Sequence, residues 1–389
     1  MKVRNIVIAV STIIVSIFLC LLIMELGIRL FVPQVYWPSR DPMVDWQLDR
    51  TLGWVQKPNI DLSEHTEYGW VVRFRTNQDG CTPGDATRQR TPGKMRIMIF
   101  GDSVVLGRAV PQDQTVSAQL TELLRKKGIN AEVINAGVQG YGTDQSLLRL
   151  EQLVPRYHPD MVIYGLCQNN FGHNQLSENH FQAKPIFKMT PEGEFKMIPP
   201  ALKDEICLPD YGPRQFIRQM ALYRLLRPAI FQLRQTIEGL DDKRNFISLD
   251  EFYYDPQALN NKVDWQLFRY LVSRMNKVSE ANGAHFFLYA HPALQEVWDP
   301  AIKKLQQSLG LKPEQYDRYA IENRLKKIAG EDGLVFVPLI DYFLQHESEG
   351  PFHLLPLDPH CNPSGYRLTA QVLCDYCSKK LTENNHKAP

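Results

Sequence analysis

The chain has 389 residues, which allows one large domain or two ordinary ones. With 44 Lys and Arg against 43 Asp and Glu, it lacks the basic excess of a nucleic-acid-binding protein. Seven scattered cysteines do not make a disulfide scaffold, and the sequence shows neither an internal repeat nor a long low-complexity segment.

Residues 5–24 (NIVIAVSTIIVSIFLCLLIM) are almost unbroken apolar sequence, about the twenty residues a helix needs to cross a hydrocarbon core. The run is longer than a signal-peptide apolar region and no small-x-small cleavage pattern closes it, so it reads as an uncleaved anchor. Lys2 and Arg4 before it favour an inside N-terminus, although Arg29 and Arg40 on the other side work against that bias. The expectation is an anchor over 1–33, with everything after about residue 34 outside the cytoplasm.

Residues 34–95 are rich in Trp, Pro, Gly and Asp, with alternating pieces such as YGWVVRFR at 68–75, and are expected to form a β-rich juxtamembrane collar. Trp37, Trp46 and Trp54 are expected to pack that collar, a membrane-interface position being the alternative. Asn77-Gln78-Asp79-Gly80 reads as a turn.

The main domain begins with an apolar run, Arg96-Ile97-Met98-Ile99-Phe100, stopped by Gly101-Asp102-Ser103, the pattern of a buried parallel strand ending in a turn. A helix over 115–127, a strand over 131–135, a glycine loop (Gly137-Val138-Gln139-Gly140-Tyr141-Gly142), a helix over 143–154 and a strand over 161–166 follow. The glycine loop follows the second strand with the wrong spacing for a dinucleotide site. The third strand ends in Cys167-Gln168-Asn169-Asn170, and a fourth strand comes only at 284–290. Residues 172–283 are therefore expected to be an insertion or lid, with helical periodicity over 213–240 and 262–281. A fifth strand over 334–339, a loop over 352–363 and a helix over 364–380 complete the chain. Such alternation predicts an α/β fold, a three-layer doubly wound parallel sheet, whose ligands gather at the carboxyl ends of the strands.

Ser after strand one, Gly after strand two, Asn after strand three and Asp-x-His before the last helix all fall at those ends. In this order they resemble the SGNH superfamily, the GDSL-type esterases and acyl hydrolases, over residues 96–170 and 334–380. The N-terminal apolar run, the Asn-x-Asp-Gly turn and Gly140-Tyr141-Gly142-Thr143-Asp144-Gln145 are similar to the membrane-anchored bacterial branch. The resemblance implies a flavodoxin-like SGNH domain over 96–385, interrupted by 172–283. It also implies roles. Ser103 is the nucleophile, His360 the base that takes its proton, and Asp358 the acid that orients the imidazole. The Ser103 N–H, the Gly140 N–H and the Asn169 side chain form the oxyanion hole.

Three departures stand out. Cys167 replaces the glycine and Asn170 the aspartate of the usual Gly-x-Asn-Asp, and Asp358-Pro359-His360 is one residue shorter than Asp-x-x-His. Asp341 is the reserve acid, Gly137 competes with Gly140, and His353 competes with the base. His291 and His173 are candidate substrate contacts, with Asn174 beside the latter. Cys374-x-x-Cys377 lies inside the last helix, where a disulfide or two buried thiols is expected and not a redox motif. No metal or cofactor is implied. The expected protein is a single-pass esterase or acyl hydrolase with its catalytic domain on the periplasmic or outer face of a bacterial inner membrane. It meets an ester- or acyl-bearing lipid, glycan or small ester, and no nucleic acid. An O-acyltransferase acting on an envelope glycan and an inactive envelope binding protein are the alternatives.

Overall fold

The computed structural model describes residues 2–31, 45–65, 71–107, 109–180, 182–202, 220, 222–223, 226, 249–354 and 360–385. They fall into two units, the smaller drawn from 1–40, 64–71 and 209–243 and the larger from the rest. In the smaller unit, helix α1 (Lys2–Phe31) carries a 25-residue stretch, Val7–Phe31, long and apolar enough to cross a membrane. Its one buried acid, Glu25, pairs with Arg29 at 2.7 Å and accepts the Leu222 N–H at 2.9 Å.

Two pairs of strands come next in the chain. They are β1 (Trp46–Asp49) with β2 (Gly53–Gln56), and β3 (Asp61–His65) with β4 (Val71–Arg75). Next come β5 (Met95–Gly101), α2 (Ser103–Leu106), α3 (Val116–Lys126), β6 (Ala131–Asn135), α4 (Thr143–Tyr157), β7 (Met161–Leu166) and α5 (Asn169–His173). Four short strands follow: β8 (Glu178–Asn179), β9 (Gln182–Ala183), β10 (Ile186–Met189) and β11 (Phe195–Ile198). Then come α6 (Pro256–Lys262), α7 (Trp265–Ala281), β12 (His285–Ala290), α8 (Leu294–Val297), α9 (Asp299–Leu309), α10 (Ala320–Asp332), β13 (Phe336–Val337), α11 (Ile340–Gln345) and α12 (Pro363–Asn385).

Five strands form one parallel sheet in the order β13-β12-β7-β5-β6. Counted along the chain this is 2-1-3-4-5, the flavodoxin-like winding, which reverses between the first and third strands and opens a crevice there. Ile97, Met98, Ile99 and Phe100 of β5 and Val162, Ile163 and Tyr164 of β7 are wholly buried, as central strands covered on both faces must be. Helices α3 and α12 pack together, as do α4 and α7, so helices accompany the sheet as outer layers.

Several expectations change. A one-turn helix, α2, starts at the serine itself, ahead of the expected 115–127 helix. The fifth strand is only two residues long. Hairpin β1–β2 is no separate collar: Trp46, Leu52, Trp54 and Val55 belong to the same apolar core as Met98 and Phe100. Tyr141 Oη donates to the Trp54 carbonyl at 2.5 Å and Gln145 Nε2 to the Leu52 carbonyl at 2.8 Å, which fasten the hairpin to the glycine loop. Trp37 lies outside the described residues, as does almost all of 213–240.

The expected insertion also divides. Helix α7 buries Leu267, Phe268, Leu271, Val272 and Met275 against α4 and β12, so it is the crossover helix of the sheet and not part of a lid. Of what is described ahead of it, residues 174–202 are β-rich, while 249–262 form a 3-10 turn and helix α6. Cys374 and Cys377 are buried free thiols.

The segment after α5 is fixed by a charge pair. Lys184 Nζ sits 2.5 Å from Asp144 Oδ2 in the first turn of α4, with neither side chain exposed, and also donates to the Leu176 and Pro185 carbonyls. Removing one member of a buried pair strands the other charge in low dielectric. Lys184→Ala is expected to lower stability by about 3–5 kcal/mol in urea denaturation, and the paired change Lys184→Met with Asp144→Leu to recover most of it. A loss below about 1 kcal/mol in the single variant contradicts this.

Candidate active site

Strand β5 ends where no side chain fits: a Cβ on Gly101 lies 2.4 Å from Val105 Cγ2 and 2.6 Å from the Gly165 carbonyl oxygen. Asp102 then caps α2, its Oδ1 accepting the Val104 N–H at 2.9 Å. Ser103 is the first residue of that turn, and its Oγ lies 2.8 Å from His360 Nε2 across 257 residues of chain. His360 is placed by its loop, since its carbonyl accepts the Leu354 N–H at 2.8 Å and His353 bridges Cys361. Asp358 lies outside the described residues.

In the glycine loop, the Gly137 N–H is taken by Asn135 Oδ1 at 2.9 Å, while Gly140, at φ +78°, has no hydrogen bond to its N–H among the described residues. Of the two competing glycines, only Gly140 keeps a donor to offer. Asn169 opens α5 with its side chain exposed.

The neighbouring Asn170 faces inward and is nearly fully buried. Its Nδ2 donates to Asp102 Oδ2 at 3.0 Å and to the Tyr141 carbonyl at 2.8 Å, while its Oδ1 accepts the Cys167 N–H at 2.7 Å. One carboxamide thus ties the turns after the first, second and third strands together. Burial pushes the Asp102 carboxyl above its ordinary range, against the pull of the Val104 N–H, His360, Asn170 and Cys167.

The other candidates lie elsewhere. His291 packs its ring edge-on between Tyr289 and Tyr366 with Nδ1 3.5 Å from Cys361 Sγ, and burial drives its pKa down to about 3. His173 is also buried, Nδ1 lies 3.4 Å from the Tyr141 carbonyl, and its pKa falls to about 4. Both were candidate substrate contacts; both rings are buried among neighbouring side chains and backbone, and that burial disfavours their charged forms. His353 Nε2 lies 3.1 Å from the Pro292 carbonyl, and Asn174 donates to Thr143. Asp341 accepts the Tyr319 hydroxyl at 2.8 Å on an exposed turn of α11. Among the described residues no three His, Cys, Asp or Glu side chains cluster closely enough to hold a metal ion.

One buried network carries no sequence signal. Gln168 Nε2 donates to the Tyr253 hydroxyl, and Glu296, whose carboxyl accepts the Ala293 N–H at 2.7 Å, is buried near both. Its members come from the third block, the 3-10 turn Leu249–Tyr253 and α8, so only the tertiary fold assembles it.

No family model matches the chain. An arylesterase of Vibrio mimicus is 31% identical over 75 residues, which are 19% of this chain and 38% of that protein. Among solved structures, the acetyl xylan esterase AlAXEase overlaps 72% of this chain and 99% of its own, at 15% identity and a TM-score of 0.39. TesA overlaps 72% and 96%, at 12% identity and 0.35. A GDSL-like lipase from Bacteroides thetaiotaomicron overlaps 76% and 93%, at 11% identity and 0.36.

Glu296 gives the site a pH signature. Burial raises its pKa from the usual 4.5 to about 8. Between those values the folded chain holds a proton that the unfolded chain has released, so stability falls as pH rises through that window. The loss attributable to Glu296 is on the order of a few kcal/mol by pH 9. Glu296→Gln, which keeps the shape and never ionises, is expected to flatten that decline in urea titrations between pH 5 and 9; parallel wild-type and variant curves contradict it. The chain thus holds a parallel sheet wound 2-1-3-4-5, with the serine, glycine and asparagine blocks at its first three carboxyl ends and the histidine loop ahead of the last helix, the doubly wound α/β arrangement that the sequence predicts.

Proposed function

We propose that the protein is a membrane-anchored serine hydrolase that cleaves ester-linked acyl groups through an acyl-enzyme. The observation that carries this reading is the 2.8 Å contact between Ser103 Oγ and His360 Nε2. A serine hydroxyl is a weak nucleophile until a base takes its proton, and that contact is within proton-transfer reach. In the proposed reaction Ser103 Oγ attacks the ester carbonyl carbon as its proton passes to His360 Nε2. In this scheme the carbonyl oxygen becomes an anion received by the Ser103 N–H, the Gly140 N–H and the Asn169 carboxamide. Collapse of the tetrahedral species breaks the bond to the alcohol oxygen, which leaves with the proton from His360. Water, deprotonated by the same imidazole, then releases the acid and restores Ser103. Asp358, two residues before the base, takes the orienting role in this scheme, stabilising the imidazolium without itself being protonated.

Anchoring rests on α1, whose apolar stretch of 25 residues matches a bilayer core. Lys2 and Arg4 at its start favour a cytoplasmic N-terminus over the opposing Arg29 and Arg40, and in this reading the catalytic domain then faces the far side of a bacterial inner membrane.

Purified protein is expected to react with a fluorophosphonate probe at Ser103. Ser103→Ala and His360→Ala should abolish labelling and lower ester turnover roughly 10⁴-fold or more, with cooperative unfolding retained. Turnover retained by Ser103→Ala removes that serine from the mechanism. For topology, an enzyme reporter fused after Pro389 is expected to be active only outside the cytoplasm; a cytoplasmic signal reverses the orientation.

A further inference from the structure

We infer that Trp54 and Asn179 are positioning residues for the oxyanion donor at Gly140, gripping the peptide groups on either side of it. The Trp54 indole N–H donates to the Gln139 carbonyl at 3.1 Å, and Asn179 Nδ2 donates to the Gly140 carbonyl at 2.8 Å. The Gln139 carbonyl and the Gly140 N–H belong to one planar trans peptide and point in opposite directions. Whatever holds that carbonyl therefore aims that N–H. Asn179 holds the next peptide in the same way, which leaves Gly140 little freedom to swing about its own φ and ψ.

Such clamping is needed because the loop lacks internal stiffness. Gly140 sits at φ +78°, a region glycine enters at no steric cost, and glycine has the widest backbone freedom to lose. Its Cα also touches the insertion: a Cβ there lies 2.4 Å from His180 Cδ2, so alanine has no room. A preorganised donor must hold its direction without reorganising when the anion forms, and a peptide free to rotate does not.

Both clamps come from outside the sheet that carries Ser103, and both are anchored. Trp54 stacks on Trp46 with ring centroids 5.4 Å apart, and its own carbonyl is held by Tyr141. Asn179 ends β8, whose partner β9 is followed at once by Lys184 in its buried pair with Asp144. The Ala183 carbonyl lies where a Cβ on Gly53 would stand, 2.2 Å from it, so hairpin and insertion meet directly above the glycine loop. The hairpin before the domain and the turn after α5 complete the oxyanion site; neither is only a spacer or a cover. This inference rests on the reading of Gly140 as an oxyanion donor.

Trp54→Phe keeps an aromatic ring and removes the indole N–H; Asn179→Ala removes the carboxamide, and Asn179→Asp turns an acceptor toward the Gly140 carbonyl. The full chain in detergent micelles is assayed with p-nitrophenyl acetate, with fluorophosphonate labelling, and with a boronic acid whose serine adduct is tetrahedral. Each variant is expected to lose about tenfold or more in kcat, less than the 100- to 1000-fold of deleting a donor outright, with KM within about twofold of wild type. Boronate affinity should weaken in step with kcat, and Asn179→Asp should be at least as impaired as Asn179→Ala. A purely structural role leaves boronate affinity unmoved. Labelled wild type with variants of wild-type kcat and boronate affinity overturns the inference alone, and the Asn179 variants decide the matter should Trp54→Phe fold poorly. Wild type that takes no fluorophosphonate at Ser103 overturns the functional reading and this inference with it.

Discussion

The site depends on one buried carboxamide. Ser103, Gly140 and Asn169 stand on three turns that the sheet brings near one another but does not align, because each turn leaves its strand independently. Asn170 removes that independence: it donates to the Asp102 carboxylate beside the serine and to the Tyr141 carbonyl after the glycine, and it accepts from Cys167 at the end of the third strand. In a low-dielectric interior these bonds are stronger than in water, and each partner left unmade costs about 1–3 kcal/mol. The three turns therefore move together or not at all.

Around that point the fold spends buried charge freely. Arg96, at the start of β5 and almost wholly buried, pairs with Glu132 of the neighbouring strand at 2.6 Å and donates to the carbonyls of Arg88, Gln89 and Tyr157. Lys184 and Asp144 do the same for the segment after α5. Replacing such pairs with apolar groups is often neutral for stability. What they contribute here is register: a guanidinium with four partners from three segments, or a lysine with three acceptors, accepts only one arrangement of its neighbours. Apolar contacts of equal area tolerate sliding.

The sheet and the order of the site blocks were legible because both depend on local pattern. Ile97 to Phe100 and Met161 to Leu166 are continuous apolar runs bounded by turns, and they are the two central strands. The short Phe336–Val337 strand was also placed, though it pairs with β12 only at Leu288 and Tyr289 and not over the full 334–339. What could not be read depends on contacts far apart in sequence. Trp46 and Trp54 stand among polar and turn-forming residues, and only the core they enter, with partners some 85 residues away, shows that they belong to the main domain. The periodicity over 262–281 did signal a helix, but an amphipathic face does not say whether it covers a sheet or a lid. Glu296 sits in no motif and matters only because the fold buries it. Asn170 was visible only as a departure from a pattern, with no indication that it faces inward while Asn169 faces out.

The asparagine at 170 bears on the acid beside the nucleophile. A buried carboxylate needs donors, or it takes up a proton. Asp102 receives them from the Val104 N–H and the Asn170 carboxamide, the second from a position where the family pattern has an aspartate. An ionised aspartate at 170 offers only acceptors to a second acid. Asn170 thus works against the burial that holds the Asp102 carboxyl above its ordinary range, while it ties the serine turn to the other two. An asparagine here is therefore consistent with a working serine, and its presence is no argument for an idle site.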